Sequence, residues 1–513
     1  MGEPRLTIQT DKTQLKDSSG TEIGTSTNPL IVREGGSLTS FGEIQVAPLT
    51  PLIQLTFPYN INPEIISDRS NNGSLTIDSS RLKLSTGASA NQSAEMQSIR
   101  PIRYVPGQGA LIRFTRIYTT GTTNSTQLQG VGSSGDGLFF GYNGTSFGIL
   151  RREKGVSEVR TLTITTGSST AENITITLDG DADSTVSVTN TGDTTLTANE
   201  IADHDFSGLG RGWSATAVGS TVIFESYDSS SRTGTYSLSG ATTAVGTFAQ
   251  TIAGVAQTDN WTAQSSWNVD VMDGTGDSGV TLDQTKGNVY QINYQWLGYG
   301  QITFGIEDEN TGNIIDVHKI KYANQNTDVL FQNPTLPLYA SVENTSNTSD
   351  ITGFTPSFAG FIEGSEGLAY LHHGQSASAS GVGTTETPIL TIRNKLIYQN
   401  SINRNRIRIA YIAASVDGTK PAIIRMVKNG VLTGASFSDV DTNATTVSFD
   451  TSSTAISNGI RQIDIGLAKT SGEVINMSQA SFELAPNEWL TITAEASSGT
   501  TDVVASFNWE DLL

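Results

Sequence analysis

Cysteine is absent from all 513 residues, which excludes disulfides, thiolate metal sites and cysteine nucleophiles together. Charge is scarce, at 16% of residues, and it leans acidic: 30 Lys and Arg stand against 50 Asp and Glu, a net charge of -20. Such a chain repels phosphate backbones, so nucleic acid is not an expected partner. No run approaches the ~18 consecutive apolar residues of a membrane-spanning helix. The opening MGEPRLTIQTDKTQ holds no apolar stretch of the secretory kind, and Leu6 stands where myristoylation wants Ser or Thr. The expectation is a protein made in the cytoplasm with neither leader nor membrane insertion.

What the chain has in quantity is glycine, at 52 positions, with Ser, Thr and Asn filling much of the rest. Short runs of Val, Ile, Thr, Tyr and Phe recur between turn residues, the signature of an all-β protein. The length suggests roughly three or four domains. The expected architecture is several β-sandwich or jelly-roll-like domains in series, one of them carrying an inserted small β module.

The first 45 residues are polar and broken by DSSG, GTSTNP and EGGS, which predicts an extended N-terminal arm that anchors to a neighbour or contacts another subunit. From 46 to 155 the strand pattern sharpens, as in TPLIQLTFPYNIN and ALIRFTRIYTTG. Between 156 and 257 aromatics thin out and Thr, Ser and Gly dominate, with one short helix candidate, TANEIADHDF. Aromatic-rich strands return over 258–373, so 156–257 reads as a module inserted into a loop of one larger β domain. In YQINYQWLGYG, Tyr290, Ile292, Tyr294 and Trp296 fall on one face, which predicts a buried aromatic side. GQSASASGVGTTET, residues 374–387, reads as a low-complexity linker. Seven or so strand patterns then predict a C-terminal β-sandwich over 388–513, with Asn429-Gly430 at a tight hairpin turn.

Several stretches imitate chemistry. Gly144-Thr145-Ser146-Phe147-Gly148 spells the elbow of a serine hydrolase, but that elbow needs a helix after the serine. Here Asn143-Gly144 is a hairpin signal and FGILRRE continues as a strand, so Ser146 belongs to a turn. Asp179, Asp181 and Asp183 open like a calcium loop, yet Ser184 and Asn190 occupy the positions where that loop needs Gly and Glu. The only histidines are His204, His318, His372 and His373; the adjacent pair would point to opposite faces of a strand and makes a poor metal site. Asp270, Asp273 and Asp277 near Trp261 and Trp267 could serve a polysaccharide-degrading enzyme, although Asp in such loops is common for turn reasons. The basic residues Arg393, Lys395, Arg404, Arg406, Arg408, Arg425 and Lys428 gather in the C-terminal domain. Alternation with Ile407 and Ile409 predicts a solvated face, or one that meets the acidic surface of another subunit. No catalytic residue, cofactor or metal is expected. Trp261, Trp267 and Tyr299 are the candidates for stacking on sugars.

Four long stretches carry a family likeness. FPYNIN, PIRYVPGQGALIRFTRIYTTGTTNSTQLQGVGSSGDGLFFGYNGTSFGILRR, WNVDVMDGTGDSGVTLDQTKGNVYQINYQWLGYGQITFGIE and NPTLPLYASVENTSN resemble virion structural proteins of tailed bacteriophages and large DNA viruses. The C-terminal RNKLIYQ, INRNRIRI, VKNGVLTGASFSDV and LAPNEWLTITAEAS are similar to a module that follows in such proteins. The insertion resembles a piece many of them carry. The likeness covers most of residues 46–513 and brings no catalytic or ligand residues with it. It implies a non-enzymatic particle-surface component located on the virion: a capsid decoration, fibre or tail-associated protein that contributes to host attachment. Its partners would be itself, as a homo-oligomer of which a trimer is the common fibre form, other capsid or tail proteins through the arm, and host surface glycan. The alternative is a glycan-binding adhesin outside a virus.

Overall fold

The computed structural model describes Thr39 and residues 47–365, 371–477 and 482–511. Apart from Thr39, the expected arm over 1–45 lies outside the described residues.

The chain is all-β, with antiparallel sheets throughout. Two sheets form the main sandwich. One carries Leu49–Thr56, Ala110–Tyr118, Asn288–Tyr294, Ile302–Glu307, Ile314–Ile320, Ser357–Glu363 and a hairpin arm of shorter strands. The facing sheet has Gln92–Ser98, Ser125–Gly132, Gly137–Asn143, Ser146–Glu153, Thr258–Ala263 and Leu338–Asn344 among its strands. Strands from both sides of 156–257 therefore complete the same sheets. Alternation explains the burial: Tyr290, Ile292 and Tyr294 are fully buried, as a period of two requires when one face meets the core. Around them lies an aromatic cluster in which Phe140 touches Phe114, Trp267, Tyr290 and Phe304 at centroid separations of 5.0–6.4 Å.

Strands between Ser157 and Ile252 pair only with one another, in a four-stranded and a three-stranded sheet over their own core of Leu162, Ile176, Trp213 and Phe224. A bridge between Val156 and Val255 holds the entry and exit of this module side by side, so it can hang from the main sandwich without disturbing it. Its helix spans Thr194–Ala202 and is capped by Asp193, whose carboxylate accepts from the backbone of Thr195 and Leu196, the usual remedy for unpaired first-turn amides.

The C-terminal sandwich faces a sheet of Leu371–Val382, Ile407–Val416, Ser471–Asn476, Glu483–Leu484 and Thr501–Asp511 against one containing Thr387–Asn394, Ala422–Lys428, Ile460–Leu467 and Trp489–Ala496. Two expectations need correction here. Most of the expected linker is strand Leu371–Val382, paired along its length with Thr501–Asp511. The Ser/Ala run alternates: Ala377 and Ala379 pack on the core while Ser376, Ser378 and Ser380 face out. Asn429-Gly430 does not close a hairpin. Ala422–Lys428 stays in its sheet, and Val431–Thr433 leaves to pair with Ala455–Ser457 in a separate ribbon.

Candidate functional site

Ser146 is the first residue of strand Ser146–Glu153 and pairs with Asn143 across a two-residue turn. Gly144 has φ 59°, as the first position of a type II′ turn demands. The Ser146 hydroxyl accepts a hydrogen bond from Trp261 Nε1 at 3.3 Å, and no helix follows.

The sugar-stacking candidates lie in different surroundings. Trp267 is 6% exposed and wedged between Phe140 and Phe147, so its faces are covered by the chain's own core. Trp261 packs on a small cluster of Leu128, Phe139, Leu150 and Tyr339. Tyr299 is 37% exposed, stacks on Tyr322 at 6.2 Å and donates its hydroxyl to Thr327 O. Of the loop aspartates, Asp270 is buried and accepts from Met272 N and Ser278 N, one bond per oxygen. Asp273 accepts from Thr275 and, like Asp277, is exposed. Asp179 and Asp183 diverge: Asp179 holds Arg232 and Gly234 N, while Asp183 holds His204 at 2.8 Å. His372 and His373 do point to opposite faces, toward Glu510 and Asp511 respectively.

The C-terminal basic residues are not a solvated face. Arg406 donates to Glu483 at 2.5 Å, Lys428 meets Glu488 at 2.6 Å, and Arg408 lies between Glu483 and Glu510. Arg425 sits amid Glu386, Asp464 and Glu495. Arg393 is buried against Asn487 and Phe437, and loss of solvent pulls its pKa down to about 9. The correction has a plain cause: the carboxylates come from about 40 to 100 residues away along the chain, and pairing is the condition for burying charge.

Arg404 behaves differently, and it lies between two openings in the surface. A small hairpin, Ile397–Tyr398 against Ser401–Ile402, projects from the C-terminal sandwich through Gln399 and Asn400, both at positive φ. Asn403 ties its base by donating to Asn394 Oδ1 and Lys395 O at 2.8 and 2.7 Å. Arg404 then reaches into the main sandwich, donating to Ser133 Oγ at 2.9 Å and standing 3.7 Å from Asp136. Burial lowers the pKa of Arg404 and raises that of Asp136, each opposed by the other's charge.

Two openings flank this contact. A pocket of about 250 Å³ lies between Arg103, Asn333 and Thr335 of the main sandwich and the Tyr398–Arg406 segment. It shares Asn333 and residues 401–404 with a cleft of about 770 Å³ that continues to the inserted module. The module borders that cleft through Ser214, Thr216 and Glu225. It docks by Thr216 accepting from Asn487, by Thr195 accepting from Gly434 N, and by Arg69 donating to Ser226 O beside Glu225 at 3.3 Å. Burial alone would lower the Arg69 guanidinium, but Glu225 and Glu95 outweigh it and hold its pKa above the ordinary value. Sequence reasoning named Arg404 without its setting and missed Arg103 and Asn333, because nothing local marks residues that meet only when domains dock.

Among the described residues no cluster of three or more His, Cys, Asp or Glu could hold a metal ion, and no helix is long and apolar enough to cross a membrane.

No known protein-family model matches the chain, and no curated protein matches it in sequence. Among solved structures, a legume lectin-like domain from Entamoeba histolytica aligns with 60% of this chain and 95% of its own, at 10% identity and TM-score 0.21. The triple jelly roll of an archaeal virus turret assembly covers 93% of this chain and 98% of its own, at 9% identity and TM-score 0.15. A Sulfolobus Turreted Icosahedral Virus structure has the same coverage, at 8% identity and TM-score 0.14. At these scores none of them carries an argument about what this chain does.

Proposed function

We propose that the chain is a non-enzymatic structural protein of a virus particle surface, a capsid decoration, fibre or tail-associated component that contributes to host attachment. What supports this reading is the resemblance of stretches over most of residues 46–513 to virion structural proteins, together with the all-β build of the chain. Its changes of character near 156 and 257 fall close to the ends of the inserted module's own hydrophobic core. In this reading the protein is a homo-oligomer, its first 45 residues engage other capsid or tail proteins, and the distal loops meet host glycan. A strongly negative chain suits that role, since like charge keeps copies soluble until specific contacts form.

The test is immunogold electron microscopy of particles from the source, with antibody against residues 376–513. Regular label on the shell is expected for a capsid component, and label confined to tail or fibre for an attachment component. Unlabelled particles, with blots of the same particles also negative, would remove the reading. A glycan-binding adhesin outside a virus would then lead, favoured by the half-open ring of Tyr299 on Tyr322.

A further inference from the structure

We propose that the pocket between the Tyr398–Arg406 segment and the main sandwich binds a saccharide that carries a carboxylate, the chemistry of a uronic or sialic acid unit. The inference deepens the glycan side of the attachment reading, and its failure would leave the particle-labelling test untouched.

Charge is the first argument. Arg103, Arg404 and Arg406 all line the pocket, and no Asp or Glu does, in a chain where acids outnumber bases 50 to 30. Glu483 and Asp136 engage Arg406 and Arg404 from outside the pocket lining. The Arg404 to Asp136 separation of 3.7 Å exceeds the roughly 2.7–2.9 Å of a charge-assisted hydrogen bond. Arg404 is thus a mostly buried cation whose partner neutralises it incompletely, in keeping with its lowered pKa. A ligand carboxylate would supply the missing charge, and the guanidinium fork suits two parallel bonds to it.

Lining and size supply the rest. Apart from the arginines, the pocket offers amides and hydroxyls, with Ile402 the one aliphatic side chain. Asn403 and Asn405 are tied within the chain, so the Ser401 hydroxyl and the Asn333 amide are the groups that would meet sugar hydroxyls. A volume of about 250 Å³ lies just under the roughly 300 Å³ at which small-molecule sites begin, so the pocket takes no more than a single sugar ring. The adjoining cleft of about 770 Å³ leaves room for neighbouring units of a longer glycan. One negative charge per ring also fits a protein whose overall field repels dense polyanions. Because the two walls belong to different domains, an occupied pocket would clamp them together and raise the melting temperature by mass action.

The experiment titrates the full chain with D-glucuronic acid, D-glucose and sodium acetate in parallel, by calorimetry and by thermal shift. Saturable glucuronate binding is expected, with a dissociation constant on the order of 1 mM, about tenfold or more tighter than glucose or acetate. Arg103→Gln should weaken glucuronate by about tenfold at an unchanged circular dichroism spectrum. Arg404→Gln should do the same, with some loss of melting temperature because it also joins the domains. Absence of saturable glucuronate binding would overturn the proposal. So would glucose binding as tightly, which removes the role of charge, or acetate binding as tightly, which leaves an anion site without sugar recognition. Unchanged affinity in both variants would also sink it, by placing the ligand elsewhere.

Discussion

The two sandwiches solve the same packing problem with different side chains. The main core is aromatic: Phe114, Tyr118, Phe140, Tyr142, Phe147, Tyr290 and Phe304 interlock in edge-to-face, tilted and stacked pairs across both sheets. The C-terminal core is built from Ile, Val, Leu and Ala, with Phe507 and Trp509 as its fully buried rings. Its polar sides carry ion pairs instead, from Arg406–Glu483 to the three carboxylates around Arg425. Each ring buries a large area in one piece and gains from its oriented neighbours. An aliphatic core spreads the same burial over many smaller contributions. The first should therefore concentrate stability in a few residues, and the second should distribute it.

Truncation tests that contrast most directly. Phe140→Ala removes a fully buried ring that contacts four others, and should cost about 3–5 kcal/mol. Ile492→Ala, at an equally buried central-strand position, belongs to the range of about 2–5 kcal/mol and should lie toward its lower end. Hydrogen exchange resolved by peptide separates the domains. The phenylalanine variant should expose strands 110–118 and 288–294 while leaving 489–496 protected. Equal costs, or exchange that rises in both sandwiches at once, would break the comparison.

The ion pairs should matter where they are buried. Glu483→Ala takes one carboxylate from Arg406, which is 5% exposed, and from Arg408. Taking a close carboxylate from a buried charge costs up to about 3 kcal/mol. The double variant Glu483→Leu with Arg406→Met should recover most of that loss, because the penalty comes from a buried charge that has lost a close carboxylate. A double variant no better than the single one would show that the pair itself supplies the stability. Chemical denaturation of all three chains settles it.

A smaller effect is expected in the inserted module. Burial alone would raise the Asp193 carboxyl, but the Thr195 hydroxyl and the amides of Thr195 and Leu196 hold its pKa below the ordinary value. A depressed carboxyl stabilises above its unfolded value and loses that contribution as pH falls through the folded one. The cap should therefore be at full strength above about pH 4–5 and fade below. Asp193→Ala should cost about 1 kcal/mol at pH 7, and the difference from the parent should shrink on acidification. A difference that stays constant down to pH 2 would mean the carboxylate's charge plays no part.

These contrasts also show what could be read before folding. The aromatic face of Tyr290, Ile292 and Tyr294 was legible because alternation is local and its period is two. The same alternation in residues 376–380 was hidden, since Ser and Ala differ too little in size and polarity to mark an inside and an outside. Asn429-Gly430 lies at a bend rather than the expected hairpin turn, because which strand follows it into which sheet is decided by tertiary pairing. The ion pairs were illegible for a related reason, as Glu483 and Glu510 lie far along the chain from Arg406 and Arg408. The pocket at Arg404 depends on a further step, the docking of two folded domains.

The smallest effect concerns an ion pair at the surface of the main sandwich. Lys154 and Asp328 meet at 2.8 Å with both side chains about half exposed or more, and each shifts the other's pKa toward the charged form, Lys154 up and Asp328 down. Water and salt screen such a pair, and fixing two mobile side chains offsets the attraction. Lys154 also has φ 67°, a left-handed conformation that glycine adopts without strain. Lys154→Ala keeps the β-carbon and removes the charge with its exposed stem, so its melting temperature should match the parent within error at 0.15 M salt. Lys154→Gly removes both charge and strain and should melt no lower than the alanine variant. If alanine falls well below glycine and parent alike, the backbone at this position responds to more than its φ. If both variants fall together, the exposed pair contributes as the buried ones do, and burial is not what distinguishes them.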